Sequence, residues 1–223
     1  MNKEIILRAH HIKKHFSYPT PVEVLRDICF EVEKGSAVAI MGKSGEGKST
    51  LLHILGTLEK PISGEVEICG QKTHLSSPDA LRNKHIGFIF QSYNLLEEYT
   101  VLDNVLMPAR IARKPIDRDS AARARAWSLL EELGLKERAH FFAKQLSGGE
   151  KQRAAIARAL CNNPTLILAD EPSGNLDHAQ SHAIHALLMR LTKQYETTLV
   201  IVTHDRELAA LCDRVLILKD GVL

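Results

Sequence analysis

The chain has 223 residues, 44% of them hydrophobic, which is enough to bury a sizeable core as one large domain. Its formal net charge is +2, and lysines and arginines are spread along the sequence, so the charge gives no case for nucleic acid as a partner. Its four cysteines lie far apart with no C-x-x-C pair, which favours reduced thiols in the cytosol over disulfides or zinc.

Short runs with β-strand character occupy much of the first seventy residues. Turn-forming segments separate them, and we expect an antiparallel edge to the sheet from Ile5–Leu7, Val22–Leu25, Ile28–Val32 and Val66–Cys69. The N-terminus lacks the apolar core of a signal peptide, and no apolar run approaches the roughly 20 residues that span a bilayer. Any role at a membrane is therefore expected to be peripheral, through partner subunits.

A glycine-rich turn separates a predicted buried strand, Ser36–Ile40, from a helical pattern. The turn fits the phosphate-loop pattern G-x-x-x-x-G-K-[ST] from Gly42 to Ser49. Glycines let successive N–H groups point into one concavity, and the helix N-terminus adds a favourable dipole, so the turn suits phosphate. We expect Lys48 to reach the β- and γ-phosphates and the Ser49 hydroxyl to bind Mg²⁺. The predicted nucleotide-binding residues here are Gly42, Lys43, Ser44, Gly45, Glu46, Gly47, Lys48, Ser49 and Thr50.

Strand signals stop between about residues 93 and 145, where a helical insertion is predicted. The stretch "AARARAWSLLEELGL" places Ala124, Trp127, Leu130 and Leu133 on one helical face. We interpret residues 1–223 as one domain that contains a helical subdomain at about residues 92–160.

A second helix start has the composition of an anion site. In "QLSGGEKQRAAIARAL", Ser147 is a good N-cap, and Glu150 completes a capping box. Gly148 and Gly149 leave the backbone N–H groups of this helix start open to phosphate. Two phosphate-binding elements in one chain would allow one ATP to be held between two chains.

A pair of acidic residues follows the predicted strand Thr165–Asp170, at the strand end where doubly wound folds keep their ligands. We expect Asp170 to hold Mg²⁺ through water and Glu171 to polarise the water that attacks the γ-phosphorus. Continuous apolar strands alternating with helices predict a parallel sheet covered on both faces. The remaining predicted elements are strands Thr198–Thr203 and Arg214–Gly221 and helices Ser181–Tyr195 and Arg206–Cys212.

The segments "GKSGEGKST", "FQSYNLL", "LSGGEKQR", "ILADEPSGNLD" and "VTHD" resemble, in order and spacing, the motifs of the ATP-binding cassette (ABC) ATPases over essentially the whole chain. The resemblance implies an α/β fold of the P-loop NTPase, ABC ATPase type, with a mixed sheet core, an antiparallel β subdomain and an inserted helical subdomain. It implies ATP and Mg²⁺ as cofactors. It also implies a homodimer in which ATP lies between the phosphate loop of one subunit and the signature segment "LSGGE", residues 146–150, of the other. Integral-membrane permease subunits are the implied partners.

The same resemblance implies roles for individual residues. Ser147 and Gly149 would serve the partner's γ-phosphate, and Gln91 would touch both Mg²⁺ and the helical insertion. Asp177 would belong to the loop that crosses the dimer, and His204 would hold the γ-phosphate and the attacking water. The expected catalytic residues are therefore Glu171, His204, Lys48 and Gln91, and the expected metal ligands are Ser49, Gln91 and Asp170.

Three positions are less regular. Phe16 lies where the family places the aromatic that stacks on adenine, although Tyr18 is a neighbour able to replace it. Glu46 and Glu150 depart from the family pattern. A carboxylate beside a triphosphate is repulsive, so we expect Glu46 to face solvent.

The cysteines and the remaining histidines show no metal-ligand spacing. We expect buried thiols at Cys29, Cys69, Cys161 and Cys212. We interpret the remaining histidines as surface or structural residues, among them His10, His11, His74 and His85.

Within the family, "STLLHILGTLEKPISGEV" and "NNPTLILADEPSGNLD" resemble the ATPase subunits of bacterial lipoprotein-releasing exporters and, next to those, of macrolide exporters. This implies a place on the cytoplasmic face of the inner membrane. The alternative is the ATPase of a cell-division complex that signals without transport. Soluble ABC ATPases that act on DNA or ribosomes typically carry two cassettes or added modules, and a nucleotide kinase would leave the signature and His204 without a role.

Overall fold

The computed structural model describes residues 4–17 and 21–223, and these form nine strands and seven α-helices with two short 3-10 turns. The strands are β1 (Ile5–Phe16), β2 (Val22–Glu33), β3 (Ala37–Met41), β4 (Ser63–Ile68), β5 (Gln71–Lys72), β6 (Ile86–Ile89), β7 (Leu166–Asp170), β8 (Thr198–Val202) and β9 (Arg214–Ile217). The helices are α1 (Lys48–Leu55), α2 (Pro78–His85), α3 (Val101–Ile111), α4 (Ala121–Glu132), α5 (Gly148–Leu160), α6 (His178–Gln194) and α7 (Arg206–Ala210).

The strands form two sheets, one parallel and one antiparallel. A five-stranded sheet has the order β6-β7-β8-β3-β9, and its strand pairs are parallel. A four-stranded sheet has the order β2-β1-β4-β5, and its pairs are antiparallel. The predicted α/β fold class is confirmed, with one correction: the antiparallel strands form a separate sheet rather than an edge of the parallel one.

Burial patterns explain this separation. Successive residues of β8 lie on opposite faces of the parallel sheet: Leu199 and Ile201 pack into one apolar cluster, and Val200 and Val202 into another. Both faces of the strand are therefore buried, as parallel sheets require. In β2, by contrast, buried and exposed residues alternate along much of the strand, which suits a sheet with one face in solvent.

The two apolar clusters define the layers of the molecule. One contains residues of α3, α4, α5 and α6 together with one face of the parallel sheet. The other contains α1, the opposite face and the buried side of the antiparallel sheet. Helices α3, α4 and α5 also pack on one another. The assignment of about residues 92–160 to a helical subdomain stays a prediction.

The structure extends or adds several elements. The two short runs predicted around residues 22–32 are one strand, β2. Both α2 and β6 were not predicted; β6 is only four residues long and contains Gly87, which weakens its strand signal. Helix α6 begins at His178, earlier than predicted, because the Asp177 side chain caps it. Among the helices of residues 4–17 and 21–223, none is both long enough and apolar enough to cross a membrane.

Candidate active site

The loop between β3 and α1 has the backbone conformation of an anion-binding turn. Gly47, the N-cap of α1, has a φ of 91°, in the left-handed region that favours glycine. A Cβ at this position would lie 2.4 Å from Cγ1 of Val24, so a larger residue would clash as well as strain the backbone. The N–H groups that begin α1 have no side-chain cap, which leaves them open to an anion.

Lys48 spans this loop. Its Nζ donates hydrogen bonds to the carbonyl oxygens of Gly42 at 2.8 Å and Lys43 at 2.9 Å. The side chain is buried, so the ammonium is held beside the concavity rather than extended into solvent. This placement puts a fixed positive charge where the sequence predicts phosphate.

Ser49 and Asp170 bring oxygen ligands together from two distant segments. The Ser49 hydroxyl donates to Oδ1 of Asp170 at 3.1 Å, which joins the start of α1 to the end of β7. Asp170 is buried, and this burial raises the pKa of its carboxyl group, although the Ser49 hydrogen bond partly opposes the shift.

Glu171 is held by three hydrogen bonds from the loop that follows β8. Its Oε1 accepts from the backbone N–H of His204 at 3.0 Å and from Nδ1 of the same residue at 2.8 Å. Its Oε2 accepts from the hydroxyl of Thr203 at 3.0 Å. Glu171 has a φ of 42°, a strained conformation for a residue with a side chain and one that clusters at functional sites.

Apart from Asp170, which is bonded to Ser49, these groups line one cleft of about 600 Å³, a volume within the usual range for ligand pockets. Gln91 also lines it, and its backbone oxygen accepts a hydrogen bond from Nδ2 of Asn175 at 2.8 Å. The structure therefore brings together most of the predicted residues: the lining consists of Val24, Gly42, Lys43, Ser44, Gly45, Gly47, Lys48, Ser49, Thr50, Gln91, Glu171 and His204.

Glu46 differs from expectation. It was expected to face solvent, but its side chain is partly buried and folds back over the loop. Its Oε2 accepts a hydrogen bond from the backbone N–H of Lys43 at 2.8 Å. The open N–H groups of the loop attract a carboxylate for the same reason that they attract phosphate.

Phe16, Glu46, Asp170 and Asp177 lie outside the described lining of the cleft. The Phe16 ring is 41% exposed, and Nζ of Lys14 lies 5.0 Å from its centroid. Asp177 caps α6 by accepting from the backbone N–H of Gln180 at 2.8 Å. Tyr18, the alternative aromatic, lies outside the described residues.

The second predicted anion site is also separate from the cleft as described. The hydroxyl of Ser147 accepts from the N–H of Glu150 at 3.3 Å, and Oε2 of Glu150 accepts from the N–H of Ser147 at 2.9 Å, so the predicted capping box is present. The hydrogen bonds that the backbone N–H and the hydroxyl of Ser147 donate to the Glu150 carboxyl group hold its pKa below the usual value. The same chain therefore carries Ser147, Gly148, Gly149 and Asp177 away from its own phosphate loop.

Sequence reasoning missed three residues that shape the cleft. Thr203 bonds Glu171, Asn175 bonds Gln91, and Val24 forms part of the wall. Thr203 and Asn175 belong to the quoted motifs "VTHD" and "SGNLD", which is the signal that could have found them. No comparable signal marks Val24, which comes from the antiparallel sheet.

One expectation about the cysteines is wrong. Cys29 is exposed rather than buried. It lies beside His11 and Asp27, with 3.5 Å between its Sγ and Nδ1 of His11. A hydrogen bond from the His11 ring lowers the pKa of the Asp27 carboxyl group: Nδ1 of His11 lies 2.7 Å from Oδ1 of Asp27. The strand pairing brings these residues together, although they are far apart in sequence.

Comparison with known proteins gives a consistent result. Residues 25–174 match the family model described as "ABC transporter". The lipoprotein-releasing system ATP-binding protein LolD of Protochlamydia amoebophila is 52% identical, over 98% of this chain and 96% of the relative. The protein of the same name from Bordetella pertussis is 48% identical, over 97% of this chain and 94% of the relative.

Solved structures agree with these relatives. The dimeric structure of MJ0796, a bacterial ABC transporter cassette, has a TM-score of 0.87 and 39% identity, covering 98% of this chain and 96% of that one. A second structure of MJ0796, with the same score and identity, is a dimeric post-hydrolysis state bound to ADP and Pi.

The position of Lys48 leads to a first prediction. Lys48→Ala should lower ATP affinity about 10- to 100-fold, since hydrogen bonds to charged groups are worth about 1.5–3 kcal/mol each. Titration with a fluorescent ATP analogue measures the loss, and circular dichroism checks that the fold is retained. Lys193→Ala, at an exposed position near the end of α6, is the matched control. Unchanged affinity in Lys48→Ala would contradict the phosphate-loop interpretation.

Proposed function

The chain belongs to the ABC transporter family, and from that premise we propose that it is the ATP-binding and ATP-hydrolysing subunit of a bacterial exporter that releases lipoproteins from the inner membrane. The single observation that carries the ATPase assignment is the meeting of three groups in one cleft. These are the Lys48 ammonium, the Ser49 hydroxyl, which is bonded to Asp170, and the carboxylate of Glu171, which is bonded to His204.

The donor set suits Mg²⁺. Ser49 and Asp170 offer a hydroxyl and a carboxylate oxygen 3.1 Å apart, and hard oxygen ligands are those that Mg²⁺ prefers. Gln91 lines the same cleft and adds a side-chain amide oxygen. We assign these three residues to Mg²⁺, which would neutralise charge on the β- and γ-phosphates when bound.

Glu171 is the proposed general base. A carboxylate has about four lone-pair sites, and the three hydrogen bonds to Glu171 leave room on Oε2 to accept a proton from water. When His204 donates from Nδ1, its Nε2 is free to accept or hold a second partner. His204 therefore orients both the base and the site of attack, and Lys48 balances the phosphate charge.

A homodimer completes the site in this proposal. Ser147 and Gly149 lie at the start of α5, outside the described cleft of their own chain. This position supports the proposal that they bind the γ-phosphate of the ATP held by the partner subunit. MJ0796, which is similar over nearly the whole chain, is described as a dimer. Asp177 begins α6 beside Gly149, whose added Cβ would lie 2.9 Å from Oε1 of Gln180, so both segments belong to one surface.

Integral-membrane permease subunits are the proposed partners, at the cytoplasmic face of the inner membrane. A groove suited to them lies beside the segment that follows Gln91, with the apolar side chains of Leu58 and Ile111 exposed in it. Arg158 lines this groove and donates to the backbone oxygen of Tyr93 at 2.7 Å. Arg158 thus connects the groove to the segment that follows the cleft.

The names of the relatives support lipoprotein release over the alternatives. Both relatives described above are lipoprotein-releasing ATP-binding proteins and align over at least 97% of this chain. Neither of these relatives is named as a macrolide exporter or as part of a cell-division complex. The aromatic partner of adenine remains assigned to Phe16.

The bond between Glu171 and His204 leads to a second prediction. Glu171→Gln should keep ATP binding and lower turnover about 10²- to 10⁴-fold, the usual contribution of a general base. His204→Ala should also lower turnover, and the two losses should not add, because both side chains act on one attacking water. Steady-state ATPase rates of the single and double variants measure this, with Glu196→Gln as the control at an exposed carboxylate. Fully additive losses would contradict joint action.

The separation of Ser147 from the cleft leads to a third prediction. A dimer of one Ser147→Arg chain and one Lys48→Ala chain should have one intact and one doubly altered site. We expect purified mixed dimers to trap one ATP, whereas each variant alone traps none. Counting nucleotide per dimer under conditions without hydrolysis measures this. Mixed dimers without bound nucleotide would contradict completion of the site by the partner.

The cargo assignment is tested by reconstitution. The chain should assemble with its membrane subunits in proteoliposomes that contain an acylated lipoprotein. Addition of ATP should then cause the complex to release that lipoprotein to a soluble acceptor. Glu171→Gln should abolish transfer without disrupting assembly. Stimulated ATP hydrolysis with no lipoprotein release, or with transfer of a macrolide instead, would contradict the assignment.

A further inference from the structure

Three possible metal ligands lie together at the starts of α6 and α7, outside the cleft. His178 and His182 are four residues apart on α6, so their side chains share one helix face, and Glu207 belongs to the first turn of α7. The three ligand atoms lie within 4.8 Å of one another. Nothing in the proposed ATPase reaction uses these side chains.

The distances match those of a tetrahedral metal site. Nε2 of His178 lies 3.3 Å from Nε2 of His182. Oε2 of Glu207 lies 3.1 Å from the His182 nitrogen and 3.9 Å from the His178 nitrogen. Ligands about 2.0–2.1 Å from a tetrahedral Zn²⁺ ion are themselves about 3.3 Å apart. Only the distance from Glu207 to His178 must shorten, and both side chains are exposed enough to adjust.

The backbone around these ligands is fixed. Asp177 caps α6, and Asp205 caps α7 by accepting from the N–H of Glu207 at 2.8 Å. His185, one turn further along α6, is buried and bonded through Nε2 to the hydroxyl of Ser173 at 2.7 Å. His185 therefore anchors the buried side of α6, while the exposed His178 and His182 direct their Nε2 atoms toward Glu207.

We propose that His178, His182 and Glu207 bind one Zn²⁺ ion between α6 and α7. Imidazole nitrogens favour zinc over Mg²⁺, which prefers oxygen ligands. The Glu207 carboxylate supplies the negative charge that a cation requires near the positive end of a helix. Three protein ligands leave a fourth position open to water, and the exposed setting suits reversible binding.

The site would connect two segments of the ATPase centre. Helix α6 follows Asp177 directly, and α7 follows His204 after one residue, Asp205. A bound ion would tie the two helix starts together and restrict the loop that holds His204 against Glu171. Zinc would then act on the loop that carries His204 without entering the nucleotide cleft.

Zn²⁺ titration of the nucleotide-free, full-length chain tests the proposal. The reference protein carries Cys29→Ser, because Cys29, His11 and Asp27 form a second cluster that could take up the metal. By calorimetry we expect one Zn²⁺ per reference chain, and a rise in its thermal unfolding midpoint. His182→Gln in this background should weaken binding at least about tenfold, since even the loss of an outer-shell partner costs about 10- to 100-fold.

His74→Gln is the matched control, an exposed histidine beside one carboxylate, and it should bind Zn²⁺ like the reference. Circular dichroism without metal checks that each variant is folded. Equal uptake by the reference and His182→Gln would overturn the proposal. Absence of uptake by the Cys29→Ser reference would overturn it as well.

Discussion

The register of three parallel strands is the constraint on which the active site depends. Ile40 in β3 pairs with Val202 in β8, and Val202 pairs in turn with Asp170 in β7. The three strands therefore end at one level of the sheet. Each is followed by a chemically active segment: the phosphate loop, Glu171, and the loop that carries His204. A shift of one residue in a strand would turn its buried side chains to the other face and separate these segments.

Local patterns predicted the parts of the site that one stretch of chain determines. Glycine spacing located the phosphate loop, because only a few residue types permit its backbone conformation. Ser147 and Glu150 predicted a capping box, because a helix start satisfies its own N–H groups within one turn. Apolar runs predicted the parallel strands β7 and β8 to within a residue. The resemblance to a family then supplied roles that spacing alone does not provide.

Contacts between distant segments could not be predicted in this way. Cys29 meets His11 only because β1 and β2 pair, and Glu207 meets His182 only because α7 lies beside α6. Glu46 differs from expectation for a related reason: repulsion from a bound triphosphate predicts a carboxylate that faces solvent, but the N–H of Lys43 donates a hydrogen bond that holds it against the loop. In each instance the deciding contact depends on the folded structure rather than on the residue pattern.

The separation of the two phosphate-binding elements has an energetic consequence. A chain that carries the phosphate loop and the signature on different surfaces offers a nucleotide two partial sites. In the proposed dimer, ATP that contacts both elements would bind the dimer more tightly than the monomer, so by linkage it would stabilise association. Hydrolysis at the proposed base, Glu171, would remove the γ-phosphate that both surfaces share and would weaken the same association. The bond between Glu171 and His204 would therefore couple the proposed chemistry to assembly.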